Sequence, residues 1–120
     1  MISDLQILEW IKEKIIRIEN INQRDPTLIF FGRVINAELN GQAGRNRIKN
    51  NCYRYRFTLY FRGKRRRIMR AKLVWMVKHE QTVPDGHVIH HSDEDRFNDA
   101  WSNLDCITNE EHETIHYEQI

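Results

Sequence analysis

"VPDGHVIHHSDEDRFNDAWSNLDCITNEEHETIH", residues 83–116, is the stretch on which the fold turns. Pro84-Asp85-Gly86 is a turn signal, and after it come a short strand, "HVIHH", a polar loop, "SDEDRFNDAWSN", a second strand, "LDCIT", and a helix, "NEEHETIHYEQ". Thr108 or Asn109 stands where a helix cap is needed. Glu110, Glu111 and Glu113 crowd the first turns, where the positive end of the helix dipole favours acids. His112 and His116 lie four apart, so on a helix both imidazoles occupy one face and can share a metal ion. That spacing is weak alone. It gains weight from His90 and His91, because a hairpin would return their strand to the helix and bring four histidines together. Strand geometry sets a condition: neighbours on a regular strand point to opposite faces, so the pair serves one site only if the strand ends or bulges there. The turn-forming "SDED" that follows favours an ending.

Upstream, residues 3–22 carry Leu5, Leu8, Ile11, Ile15 and Ile18 at steps of three and four, which predicts an amphipathic helix capped by Ser3 or Asp4. Asp25-Pro26 would end it, giving an N-terminal helical subregion over 1–26. Residues 27–72 read as a small basic antiparallel sheet: "LIFFGRVINAEL" and "CYRYRFTLYF" as strands around the turn-rich "NGQAGRNRIKNN", then a turn at Gly63 into "RGKRRRIM". In "CYRYRFTLYF" the series Tyr53, Tyr55, Phe57, Leu59, Phe61 alternates with Arg54, Arg56, Thr58, Tyr60, Arg62, so one face packs and the other can meet phosphate. "RAKLVWMVKHE" has helical spacing and opens the third subregion, residues 73–120.

With 120 residues, 40% of them apolar and 30% charged, the chain suits one α+β domain. The net charge of +2 conceals a segregation: residues 45–72 hold 12 of the 19 Lys and Arg and no acid, whereas residues 73–120 hold 2 basic residues and 11 acids. A block of like charge repels itself when packed, and its commonest partner is nucleic acid. No run approaches the ~20 apolar residues of a membrane span. "MISDLQILEW" has acids where a signal peptide has its basic region, so a cytoplasmic location is expected. Cys52 and Cys106 form no CxxC pair, which argues against a disulfide framework or a thiolate zinc knuckle and for two small buried hydrophobes.

In order and spacing, residues 83–116 resemble the HNH endonucleases, particularly phage and homing-type members. These have an apolar strand ending in a His pair or Asp-His pair, an acidic turn, an Asn-rich loop, the dipeptide Asn-Leu, a second strand and a helix bearing histidine. "RRRIMRAKLVWMV" is similar to the segment that commonly precedes this unit. The resemblance implies a C-terminal ββα-metal unit with His91 as general base and His90, His112 and His116 as metal ligands. Asn103 corresponds to the central asparagine, which holds the loop and helps orient the base. Asn98 corresponds to the extra loop asparagine with a structural role, beside Asp93 of the turn. The chain departs from the family where Asp-Gly is usual and Asp93-Glu94 stands instead; glutamate tolerates a left-handed turn poorly, so another loop shape, or Glu94 as a ligand, is a possible consequence.

The chemistry requires these residue types in their own right. Phosphodiester hydrolysis needs a group titrating near neutrality to take a proton from the attacking water, and a cation to stabilise charge on the phosphoryl and leaving oxygens. Three imidazoles favour one zinc or other transition-metal ion such as nickel or manganese, with magnesium, which prefers oxygen ligands, as the other option. Because the acid-rich unit repels DNA, substrate contacts are expected from Arg54, Arg56, Arg62, Lys64, Arg65, Arg66 and Arg67. The broad apolar face of the N-terminal helix leaves room for a homodimer able to cut both strands. The rival readings are a noncatalytic zinc-stabilised DNA-binding module and an RNA nuclease.

Overall fold

The computed structural model describes residues 1–40 and 53–118, with side chains as far as Ile115; residues 41–52, Cys52 among them, and the side chain of His116 lie outside the described residues. Helix α1, Asp4–Lys12, starts at Ser3, whose hydroxyl accepts the backbone N–H of Gln6 at 3.1 Å, and buries Ile7, Trp10 and Ile11. It is shorter than its spacing predicts. Lys14 takes a left-handed conformation (φ 65°) and the chain re-emerges as strand β1, Ile16–Glu19. The isoleucines explain the correction: Ile16 and Ile18 also fit a period of two, with Arg17 and Glu19 between them, and β-branched side chains favour the pleated surface. Pairing with strand β2, Thr27–Phe30, settles the matter, Ile16 lying opposite Phe30 and Ile18 opposite Leu28. The subregion 1–26 is thus a helix, a strand and a loop.

"LIFFGRVINAEL" is likewise broken into β2, β3 (Arg33–Ile35) and β4 (Glu38–Asn40). Phe31 and Gly32 both have positive φ, 49° and 76°, the requirement of the tight hairpin turn that matches strand twist. Arg62 and Gly63, at 50° and 76°, repeat this turn between β5 (Arg54–Phe61) and β6 (Lys64–Met69). The two turns meet side by side: Phe31 stacks on Phe61 with ring centres 5.6 Å apart, and Trp10 packs edge-on against both. Two three-stranded antiparallel sheets result, ordered β1-β2-β3 and β4-β5-β6.

Helix α2, Arg70–His79, follows β6 and contributes Leu73, Val74 and Met76 to a core shared with Ile7, Ile16, Leu28, Phe57 and Leu59. The last unit docks on this core through Leu104, with Ile89, Trp101 and Cys106 packed around it. It consists of β7 (His87–His91), a single 3-10 turn (Trp101–Asn103), β8 (Leu104–Thr108) and α3 (Asn109–Glu118). The α3 cap is Thr108. Its hydroxyl accepts the N–H of Glu111 at 3.1 Å, while the Glu111 carboxylate accepts the Thr108 backbone N–H at 3.4 Å and its hydroxyl at 3.0 Å, a reciprocal capping box. The content is α+β, with small antiparallel sheets and a helix after the final hairpin. Among the described residues no helix is long and apolar enough to cross a membrane.

Candidate active site

Strand β7 ends at His91, as the turn-forming residues after it require. Ser92 donates its N–H to the carbonyl of Asn103 at 2.8 Å, and Glu94 donates to the carbonyl of His91 at 3.0 Å, which closes a tight turn. Glu94 sits at φ 64°, so the left-handed position expected of glycine is kept despite the side chain, at a cost of roughly 1 kcal/mol.

A polar network offsets that strain. Asp93 accepts the Asn103 and Asn98 side-chain amides, both at 2.9 Å, and the N–H of Asp95 at 2.8 Å. Asn103 also accepts the N–H of Asp93 at 3.0 Å and donates to the carbonyl of Asn98 at 2.9 Å. The hydrogen bond from Asn98, with that from the Asp95 backbone, holds the Asp93 carboxyl below its ordinary range. Asp95 is held low by the N–H of Phe97 and by Arg24, whose guanidinium lies 2.6 Å away. Asn103 and Asn98 therefore hold the loop, and the bonds of Asn103 run to the loop rather than to His91.

His91 is buried, 8% exposed, and its Nε2 lies 2.7 Å from Oδ1 of Asp99, itself 1% exposed. The second Asp99 oxygen accepts Nε of Arg70 at 2.8 Å. Arg70, the first residue of α2, also donates to Asp25 at 3.0 Å and to the carbonyls of Arg24 and Phe97 at 3.4 and 3.3 Å. Its guanidinium lies 4.2 Å from the Tyr55 ring centre. On the neighbouring residue, the ring of His90 meets that of His112 edge to face, with centres 6.0 Å apart. A cavity of about 220 Å³ is lined by Arg54, Ile89, His90, His91, Glu94, Arg96 and His112. The strand ending thus lets adjacent histidines border one space.

This donor set suits a transition metal, since two imidazoles bound through nitrogen at ~2 Å place their ring centres about 5–6 Å apart. Among the described residues no group of three or more His, Cys, Asp or Glu surrounds one point. The expected third imidazole, His116, follows His112 by one helical turn on α3, and its side chain lies outside the described residues. His87 donates from Nδ1 to the Asp85 carbonyl at 3.0 Å and borders an adjoining cavity of about 240 Å³ that shares Arg54, Ile89 and His91. Half-buried Cys106 packs on the core, and burial pushes its thiol up, which suits a small hydrophobe.

The cations of the sheet divide into two groups. Arg54, Arg62, Lys64, Arg65 and Arg67 are exposed. Arg56 instead donates to Asn40 at 2.7 Å and lies 3.8 Å from Glu38, and Arg66 donates to Asp4 at 2.5 Å and to the Ile2 carbonyl at 2.8 Å. These two brace the fold. Tyr60 lies opposite Arg65 and Thr58 opposite Arg67, so Arg54, Arg56, Thr58, Tyr60, Arg65 and Arg67 share one face, from which Tyr60 is 69% exposed. Asp99, Arg70 and Arg96 were not singled out by sequence reasoning. The available signal was an acid and an arginine set in apolar surroundings, at "NDAW" and "IMRAKLVW".

Residues 72–114 match the family model for the HNH endonuclease. No curated protein and no solved structure matches the chain. The matched segment contains the histidine pair at the end of β7, the asparagine-clamped loop and the helical His112, and over these residues the chain is similar to the HNH endonucleases.

Proposed function

We propose that the chain is a metal-dependent endonuclease that hydrolyses DNA phosphodiester bonds. The observation that carries this reading is the cavity in which His90, His91 and His112 meet two arginines, Arg54 and Arg96. His91 takes the proton from the water that attacks phosphorus, while Arg54 and Arg96 draw the phosphate into the cavity and offset its charge. His90 and His112, with His116 as third ligand, would hold one divalent ion, which when bound supplies Lewis-acid stabilisation of the phosphoryl and leaving oxygens. Imidazole ligands favour zinc, nickel or manganese over magnesium. Asn103, Asn98 and Asp93 keep the turn in the shape that presents the two histidines.

Substrate binding follows from the sheet. Arg54 lines the cavity and also stands on the face that carries Tyr60, Arg65 and Arg67. From Arg54 to Tyr60 is six residues of strand, about 20 Å at ~3.3 Å per residue, a length that can follow a short stretch of one DNA strand. A DNA backbone on that face leads into the cavity. Arg62 and Lys64, at the hairpin turn, extend the track beyond Tyr60.

The test is cleavage of supercoiled plasmid by wild type and His91→Ala after chelation, with zinc, nickel, manganese or magnesium restored one at a time. Metal-dependent nicking or linearisation that disappears in the variant is expected, linearisation favouring a homodimer and nicking a monomer. Tight plasmid binding without cleavage in any metal would leave the noncatalytic DNA-binding module. Cleavage of RNA alone would make the chain an RNA nuclease.

A further inference from the structure

We infer that Asp99 and Arg70 are positioning residues for His91: the buried Arg70–Asp99 pair locks the imidazole with its proton on Nε2 and leaves Nδ1 as the base. The inference rests on the nuclease reading for its catalytic consequence, though not for its geometry. Asp99 lies between a guanidinium and an imidazole, bonded to both at 2.8 and 2.7 Å, and is 1% exposed. A carboxylate so deeply buried requires a charge partner, and arginine, which stays protonated in proteins, provides it. Flanked by that guanidinium, Asp99 acts as an acceptor, so the hydrogen between it and His91 belongs to Nε2. The neutral ring then has one nitrogen free to accept a proton, Nδ1.

Access to Nδ1 agrees with this assignment. His91 borders both cavities while its Nε2 is bonded to buried Asp99, an arrangement that leaves Nδ1 as the nitrogen able to meet substrate. A carboxylate that fixes the tautomer and aim of a histidine base has a known counterpart in the Ser-His-Asp triad, where exchange for asparagine leaves the geometry and loses most of the rate.

Arg70 extends the device beyond the histidine unit. It lies outside the matched segment 72–114 and ties Asp99 to Asp25 and to the carbonyls of Arg24 and Phe97. The base is thereby anchored to the loop between β1 and β2 as well as to the loop after β7. Lysine could keep the charge there without reproducing the forked set of contacts.

The experiment has two readouts on the full chain. Long-range ¹⁵N–¹H NMR, with His91 assigned by its loss in His91→Gln, reports which nitrogen bears the proton. Wild type should show the Nε2–H tautomer, and a dominant Nδ1–H form would overturn the proposal whatever the activity. Single-turnover cleavage and DNA binding are then compared for wild type, Asp99→Asn, Asp99→Ala and Arg70→Lys. Asp99→Asn should lower the cleavage rate by about 10²–10⁴-fold, the range for loss of a general base, with little change in DNA affinity or in the metal concentration required. Its amide can donate to Nε2 and so force the proton to Nδ1. Arg70→Lys should fall between wild type and Asp99→Asn. A wild-type cleavage rate in Asp99→Asn would also overturn the proposal. If Asp99→Asn and Asp99→Ala fail to fold, the wild-type spectrum still decides. Absence of cleavage by wild type would sink the nuclease reading while leaving the tautomer assignment to stand or fall on the spectrum.

Discussion

The β5–β6 hairpin and the loop between β7 and β8 are both dense in charge, and they use it in opposite ways. On the hairpin, Arg62, Lys64, Arg65 and Arg67 stand exposed with Tyr60 among them. In the loop, Asp93, Asp95 and Asp99 are each bound by two or more donors from the protein. Exposed cations meet phosphate at long range, are screened by salt and give affinity; tied carboxylates fix geometry and tolerate salt. Affinity should therefore reside in the hairpin and chemistry in the loop, and each substitution below tests whether that division holds.

The largest separation is expected from His91→Ala. Removing the base should abolish metal-dependent cleavage, a loss of at least about 10²-fold, while plasmid affinity in a filter or anisotropy assay stays within a few-fold of wild type. Equal losses of binding and cleavage would erase the proposed division. Next comes Arg70→Ala. Deleting one partner of a buried ion pair leaves Asp99 uncompensated, and the cost should be about 3–5 kcal/mol in urea unfolding. Asn103→Ala follows at about 2–3 kcal/mol, because the Asp93 carboxylate and the backbone of Asp93 and Asn98 lose hydrogen bonds at a part-buried site. Cleavage should fall with it as the turn loses its shape.

On the hairpin, effects should be smaller and of another kind. Arg65→Ala and Arg67→Ala should each lower the slope of log affinity against log salt by about one, without changing the cleavage rate at saturating DNA. Tyr60→Ala should weaken single-stranded more than double-stranded DNA if its exposed ring stacks on a base. Arg66→Ala makes the informative contrast: its bonds to Asp4 and the Ile2 carbonyl predict lost stability and little change in the salt slope.

These contrasts also mark what could be read from the sequence. Residues 83–116 were legible because every step has a local cause: a Pro-Asp-Gly turn, an acidic strand end, a Thr-x-x-Glu cap, histidines at helical spacing. The stretch 13–22 was not, since its isoleucines satisfy a helical period and an alternating one, and the choice depends on β2 pairing with it from ten residues away. Arg56 and Arg66 looked equivalent to their neighbours because their partners, Glu38, Asn40 and Asp4, are brought to them only by the fold. Asp99 and Arg70 are 29 positions apart, and no local period links them. Contacts within one turn or hairpin were visible; those between sheets were hidden.

The smallest effects concern acid. Four carboxyls lie below their ordinary range, two on each side of the division. Asp93 is held low by its bonds from Asn98 and the Asp95 backbone, Asp95 by Phe97 and Arg24, and Glu38 by the Thr58 hydroxyl. For Asp4, burial pushes the carboxyl up, and the bonds from Lys72 and Arg66 outweigh it. A carboxyl lowered on folding binds fewer protons in the native than in the unfolded chain, so its contribution is complete above the unfolded value of about 4 and disappears as pH falls through the lower, native value. Urea midpoints should therefore hold level from neutrality to about pH 5 and decline below it. Asp95→Asn should flatten part of that decline and Asp4→Asn another part, and the two should add, because the loop and the hairpin anchor share no partner. Coupling between them would mean that the loop and the hairpin are not independent, and that the hairpin contributes to the geometry of the base as well as to affinity.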